Sequence, residues 1–243
     1  MDSELIFYIL LLIVAFLYAS VGHGGASGYL ALMAFFSFAP ETMRPTALLL
    51  NIFVSAIAFI QYYRSGYFKW KLFWPFAAAS VPAAFIGGMV TIDEGIYKKI
   101  LAVLLLLSVV KLVGLKENRN KPLVEYHLIT SILSGAAIGL FSGMIGIGGG
   151  IILSPLILLL HWADMKKTAA VSALFIFVNS IAGLTGLFIN GVQFTTTMVL
   201  MLVIAFIGGM AGAYLGAKRF NTVKLKYLLS FVLVIAAVKL FLT

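Results

Sequence analysis

Long apolar runs separated by short polar connections dominate the sequence. A helix needs about 20 residues to cross the roughly 30 Å hydrocarbon core of a bilayer, and most of the runs reach that length. The pattern therefore predicts an all-α, polytopic membrane protein. The runs occupy approximately residues 5–21, 28–38, 45–63, 72–91, 96–114, 126–145, 150–162, 168–189, 196–217 and 225–242.

Two of the runs, 28–38 and 150–162, are too short to cross a membrane as ordinary helices. Each follows a cluster of glycines, and each occupies the same place within its half of the chain. We expect them to be short helices broken by glycine or the returning arms of re-entrant hairpins. The pattern does not decide between a full crossing and a hairpin.

The two halves of the chain resemble each other. GHGG at residues 22–25 corresponds to GIGG at 146–149, and FIGGM occurs at both 85–89 and 206–210. Matches in the same order indicate an internal repeat, and their spacing drifts by a few residues, as loop insertions would cause. Further matches in the same order pair Ser55 with Ser180 and Gly66 with Gly191.

This repeat predicts a division into residues 1–114, a polar cytoplasmic linker at 115–126, and residues 127–243. Each half holds about five apolar segments. An odd number of crossings inserts the second half upside down relative to the first. Inverted-topology repeats are typical of secondary transporters, whose sites lie near the bilayer midplane where the halves meet.

Composition excludes a soluble protein of this length. Apolar residues make up 63% of the 243 residues and charged residues 10%, against about 45–50% and 25% in soluble domains. Cysteine is absent from the sequence, so disulfides and thiolate metal sites are excluded. The formal charge of +9 would suggest nucleic acid in a soluble protein, but here we expect the bilayer as the partner and no nucleic acid.

The basic residues predict the orientation. Asp2 and Glu4 stand where a signal peptide would carry Lys or Arg, so we expect the first run to be retained, with the N-terminus outside and the chain in the cell (cytoplasmic) membrane. Thirteen basic residues then fall inside and four outside, in keeping with the positive-inside rule. The outside residues are Arg44, Lys98, Lys99 and Lys239.

The glycine motifs are the candidate site. Unwound backbone survives in a membrane only where it is buried in protein or lines a wet cavity. The free amides and positive dipole at the start of each following helix would attract an anion without burying Lys or Arg. The motif residues are His23, Gly24, Gly25, Ser27, Gly28, Gly146, Gly148, Gly149 and Gly150.

Polar residues in the neighbouring runs could face the same site. The alternatives are that the glycines only permit close helix packing and that the serines and asparagines join helices by hydrogen bonds. His23 could contact an anion, carry a proton, or only bond to a neighbouring helix. The candidates in the runs are Asn51, Ser55, Ser172, Asn179 and Ser180.

In these motifs the chain resembles the sulfite exporter TauE/SafE family of membrane transporters. The resemblance is clearest in GIGGGIILSPLILLL at 146–160, KKTAAVSALF at 166–175, NGVQF at 190–194 and FIGGMAGAYLGAKR at 206–219. The first half, with GHGGASGYLALM at 22–33, lacks the full glycine run and the counterpart of Pro155. The resemblance implies movement of small sulfur-containing anions, such as sulfite and organosulfonates, with the glycine hairpins and nearby Ser and Asn residues forming the site.

The function expected is secondary transport, in the export direction, of a small anion by alternating access. The chain could instead be a non-transporting scaffold or subunit. GASG at residues 25–28 also matches the GxSG of intramembrane serine proteases, but a serine nucleophile needs a base. We expect no enzyme activity, no catalytic residues, no metal and no cofactor. Substrate identity, coupling ion and homo-oligomer formation are left open.

Overall fold

The computed structural model describes residues 2–20, 25–114, 123–192, 194–219 and 222–242, and these form ten helices and no strand. The all-α expectation is therefore confirmed. The helices are α1 Asp2–Ser20, α2 Ala26–Phe35, α3 Pro40–Arg64, α4 Trp70–Met89, α5 Glu94–Gly114, α6 Leu128–Ile145, α7 Gly150–Leu159, α8 Met165–Ile189, α9 Thr196–Arg219 and α10 Thr222–Leu242.

Helix length separates spanning from non-spanning elements. In the described part of the chain, α3, α4, α6 and α8 are long and apolar enough to cross a bilayer. The helices α2 and α7 have 10 residues each, or about 15 Å at 1.5 Å per residue. Both runs that are too short in the sequence are therefore short helices in the structure.

Helix packing follows the repeat. α1 packs along α9 as α6 packs along α4, while α3 packs on α8 and α5 on α10. The short helix is second of five in each half, and the third helix has 25 residues in each. These correspondences support a duplicated architecture. The opposite insertion of the halves and their exact limits stay predictions.

Each short helix ends beside the start of the helix before it. The ring of Phe7, early in α1, lies 5.3 Å from Phe36 and 4.8 Å from Phe38 between ring centroids, just beyond α2. In the second half, the amide of Val124, before α6, donates to the carbonyl of His161, after α7, at 2.9 Å. Both helix pairs thus return to the side from which they started, as re-entrant hairpins do.

Small residues bring α4 and α6 into backbone contact. Gly135, Gly139 and Gly143 recur at intervals of four along α6 and face α4. A Cβ at Gly139 would overlap the carbonyl oxygen of Ser80, and one at Gly143 would overlap that of Ala84. Such small-residue stripes let membrane helices approach closely where no hydrophobic driving force exists. This contact fixes α6, and with it the turn that follows α6.

The start of α8 is held by a side-chain cap. The Asp164 carboxylate accepts from the Lys167 amide at 2.9 Å and pairs with its ammonium at 2.7 Å. Burial raises the pKa of Asp164, but the hydrogen bonds and charge of Lys167 outweigh burial and lower the pKa below its ordinary value. The cap therefore contributes stability above the unfolded-state pKa, and this contribution is lost as pH falls through the lowered pKa.

Large apolar side chains cover much of the outer surface. Ile129, Leu133 and Phe231 expose 72%, 65% and 64% of their area, which would be unfavourable in water over so wide a surface. A lipid environment removes that cost. The exposed face of the helices is therefore suited to acyl chains.

The α4–α6 contact generates a test of the packing. Gly139→Ala should lower the midpoint of thermal unfolding, since overpacking typically costs about 1–3 kcal/mol. Gly209→Ala in α9 is the matched control, because a Cβ there meets nothing within 4 Å. The measurement is thermal unfolding of the detergent-purified variants. Equal midpoints for the two variants would show that the α4–α6 contact can accommodate an added methyl group.

Candidate functional site

The connection between α6 and α7 is built from left-handed backbone. Gly146 ends α6 with φ of 88°, Gly148 has φ of 70°, and Gly149 precedes α7 with φ of 77°. Side chains with a Cβ are disfavoured in this region, so the sequence needs glycine at each of these positions. All residues of the turn are buried in protein.

Two backbone amides of the turn, those of Gly148 and Gly149, have no partner among the described residues. The Gly149 carbonyl accepts from the amides of Ile152 and Leu153, at 3.1 and 3.0 Å. The positive end of the α7 dipole adds to the free amides of Gly148 and Gly149. The turn can therefore hold a group that accepts hydrogen bonds, above all a negatively charged one.

Two further donors meet at Gly148 where α3 and α8 cross. The point that a Cβ would occupy lies 2.9 Å from Asn51 Nδ2 and 3.1 Å from Ser180 Oγ. Both residues are buried, at 1% and 0% exposure, and neither atom has a hydrogen-bond partner in the part of the chain described. The Ser55 hydroxyl, one turn further along α3, donates to the Asn51 carbonyl at 2.6 Å. The structure thus brings Asn51, Gly148 and Ser180 together, whereas the Ser55 hydroxyl bonds to the backbone of its own helix.

Other candidates on α8 are partly occupied by protein contacts. Asn179 Nδ2 donates to the Phe175 carbonyl at 2.8 Å, while its buried oxygen has no partner among the described residues. The Ser172 hydroxyl bonds to the Ser154 hydroxyl at 2.9 Å. Ser172 therefore joins α7 to α8, which is the helix-bonding alternative that its sequence position allows.

The first glycine motif packs differently. Ser27 Oγ bonds to Tyr18 Oη at 3.0 Å, and a Cβ at Gly28 would overlap Tyr18 and approach Val14. Ser27 and Gly28 thus contact α1, while Gly25 lies against the ring of Tyr29. His23 and Gly24 lie outside the described residues. The role of this motif in binding stays a prediction.

One residue that sequence reasoning missed is a buried arginine. Arg44 is 8% exposed, and the charge pattern places it on the outer side of the membrane. Its Nη2 donates to the carbonyls of Gly87, Gly88 and Val90 at 3.3, 3.4 and 3.2 Å, and to that of Gly143 at 3.3 Å. The anion site predicted from sequence needs no buried Lys or Arg, and the structure adds a buried arginine close to the α6–α7 turn.

The signal for Arg44 was present in the sequence. Arg44 precedes Asn51 by seven residues and Ser55 by eleven, so all three lie on one face of a helix. The run boundary at residue 45 obscured this relation, because α3 begins five residues earlier, at Pro40. A Cβ at Gly146 would lie 3.0 Å from the Arg44 backbone, so the glycine turn also borders this residue.

Comparison with known proteins decides the family. The sequence profile of the sulfite exporter TauE/SafE family matches residues 7–240. The chain belongs to the TauE/SafE family. It is 34% identical over 245 residues, covering 99% of each chain, to the probable membrane transporter protein y4hK of Sinorhizobium fredii.

More distant relatives of this TauE/SafE chain are longer proteins. Two probable membrane transporter proteins MamO, from Paramagnetospirillum magneticum and Magnetospirillum gryphiswaldense, are 24% and 25% identical over 79% of this chain and 37% of their own. No solved structure matches the chain. Together with the apolar helices, the family identifies a multi-pass membrane transporter for a small molecule.

The glycine turn generates a test within the site. Gly148→Ala combines left-handed strain of about 1–2 kcal/mol with contacts of 2.8 Å to Ile176 and 2.9 Å to Asn51, and it should abolish substrate flux in proteoliposomes. Gly191→Ala is the matched control. Its φ is 82° and its Cβ would meet nothing within 4 Å, so it should keep most of the flux. Similar flux in the two folded variants would remove Gly148 from the mechanism.

Proposed function

We propose that this TauE/SafE protein exports a small sulfur-containing oxyanion, such as sulfite or a sulfonate, by secondary transport. The anion would bind at the Gly148 turn, where α3 and α8 cross. The observation that carries the proposal is the convergence of two buried, unpartnered donors, Asn51 Nδ2 and Ser180 Oγ, on one glycine.

The donors at Gly148 suit an anion. The backbone carbonyl of Asn51 is occupied by Ser55 and the Gly149 carbonyl by amides of α7. The groups without partners beside Gly148 are Asn51 Nδ2, the Ser180 hydroxyl and backbone N–H groups, while Asn179 Oδ1, one residue before Ser180, is an acceptor without a partner among the described residues. A buried donor without a partner costs about 1–3 kcal/mol. An oxyanion offers several acceptor oxygens at once and would satisfy these groups together.

The hairpins suggest how the site could open to each side. The α1–α2 pair returns to the side from which it started, and so does the α6–α7 pair. If the halves are inverted, the hairpins enter from opposite sides, and rocking of one half against the other would expose the site alternately. The membrane potential would drive anion exit by about 2.3 kcal/mol per charge for each 100 mV.

The location proposed is the cytoplasmic membrane with the N-terminus outside. This orientation is supported by the thirteen basic residues that it places inside, against Arg44, Lys98, Lys99 and Lys239 outside, which is the bias expected of a multi-pass protein. No catalytic role is proposed for Ser27, whose hydroxyl bonds to Tyr18.

The experiment that tests the function is a flux screen. Purified protein in proteoliposomes should move at least one of sulfite, an organosulfonate, thiosulfate and sulfate faster than empty vesicles, with saturation. Sodium and a neutral sugar are the negative controls, since neither is an anion. Flux of a cation or sugar, with none of the anions moving, would contradict the proposal.

A side-chain substitution tests the site itself. Ser180→Ala should raise the dissociation constant for the transported anion by about tenfold or more, since a hydrogen bond to a charged group contributes about 1.5–3 kcal/mol. Ser108→Ala is the matched control, because Ser108 is also buried but bonds to the Leu104 carbonyl of its own helix at 2.9 Å. Equal affinity of the two variants, measured by anion-dependent thermal shift, would place the site elsewhere.

A further inference from the structure

Arg44 is a buried positive charge without an acidic partner. In the described part of the chain no carboxylate forms an ion pair with Arg44. Glu41, one turn earlier on α3, is exposed. Buried charges are ordinarily paired, since an isolated ion in a medium of low dielectric constant is very costly. Glu41 attracts the Arg44 charge electrostatically but forms no ion pair with it, so the charge of Arg44 is only partly compensated by the described protein.

The hydrogen bonds of Arg44 use only part of its guanidinium. Four carbonyls, at the ends of α4 and α6, share the single nitrogen Nη2 at 3.2–3.4 Å. The buried Nε has no partner among the described residues. The negative ends of two helix dipoles stabilise the cation, and they leave a donor unused. A guanidinium presents its N–H groups in a fork that suits an oxyanion.

The position of Arg44 links it to the proposed site. Arg44, Asn51 and Ser55 lie on one face of α3 because they are spaced by seven and four residues. The same glycine turn touches this face at two points. Gly146 lies against the Arg44 backbone, and Gly148 lies against Asn51. An anion leaving the Gly148 site along α3 toward its N-terminal end would therefore meet Arg44.

We propose that Arg44 is a second anion-binding station, which supplies the countercharge for the substrate at the end of α3 opposite Ser55. The inference rests on the proposed function, since it takes the anion at Gly148 as its starting point. The Gly148 site holds the anion by neutral donors, while Arg44 holds it by charge. The anion exchanges the amides of the turn for the guanidinium and accepts a hydrogen bond from the unused Nε of Arg44.

The test compares two cations that both bond to helix carbonyls. Arg44→Gln should raise the dissociation constant and the KM for sulfite at least tenfold. Lys239→Gln is the control, since Lys239 donates to the Ala34 carbonyl at 3.2 Å and to Ser37 Oγ at 2.9 Å, beyond the end of α2. It should change both constants less than twofold. Arg44→Lys, which keeps the charge but lacks the guanidinium fork, should restore part of the affinity.

A purely structural role would give a different pattern. Arg44→Gln would then unfold at a lower temperature and would bind sulfite with the parent affinity, and this result would overturn the inference. If sulfite is not the anion that the flux screen identifies, the anion that it does identify takes the place of sulfite in these measurements.

A measurement on the unaltered chain keeps the inference testable if the Arg44 variants do not fold. In protein labelled with ¹⁵N-arginine, the Arg44 Nε–H resonance can be assigned by replacing the other three arginines, Arg64, Arg119 and Arg219, with lysine. The resonance should move in a saturable way as sulfite is added. A resonance that stays fixed while thermal shift reports binding would overturn the inference.

These outcomes separate the two proposals. A protein that moves no anion fails the flux screen, and both proposals fall. A protein that moves sulfite, is weakened by Ser180→Ala and is indifferent to Arg44→Gln keeps its proposed function and loses only the second station.

Discussion

Peptide N–H and C=O groups that leave a helix inside a membrane must find partners or be enclosed by protein. This constraint explains most of what surrounds the α6–α7 turn. The turn is possible because glycine accepts left-handed backbone at residues 146, 148 and 149. It is stable in hydrocarbon because protein buries it on all sides. What remains is a set of free amides, those of Gly148 and Gly149, close to the buried side chains of Asn51 and Ser180.

The surrounding helices serve this enclosure. Backbone contact between α4 and α6, through Gly139 and Gly143, fixes the end of α6 where the turn begins. The crossing of α3 and α8 covers the other side and brings Asn51 and Ser180 to Gly148. Arg44 bonds to carbonyls at the ends of α4 and α6, close to the turn. Packing and candidate chemistry thus share the same residues.

Much of this architecture could be predicted from sequence. Run length and glycine clusters identified α2 and α7 as short helices, because hydrocarbon thickness sets a minimum length for a span. The repeat pointed to Ser180, and the positions near the glycine motifs pointed to Asn51. Both residues could be predicted without knowing how the helices cross, because polar residues in a membrane rarely face lipid.

The pairing of side chains could not be predicted in the same way. Ser27 bonds to Tyr18, and Ser172 to Ser154, while Ser180 has no partner among the described residues. These differences depend on the angle and register at which helices cross, and periodicity does not specify either. Arg44 was missed for a related reason. A basic residue at the edge of an apolar run is ordinarily a loop residue, and only the true start of α3 brings it inside.

The most direct test of the account is the position of the anion in a crystal. Selenite, a heavier analogue of sulfite, can be located by the anomalous scattering of its selenium. The account predicts a selenium peak within hydrogen-bonding reach of the Gly148 amide, Asn51 and Ser180. A peak found only among surface lysines, with nothing bound at the Gly148 turn at saturating selenite, would contradict it.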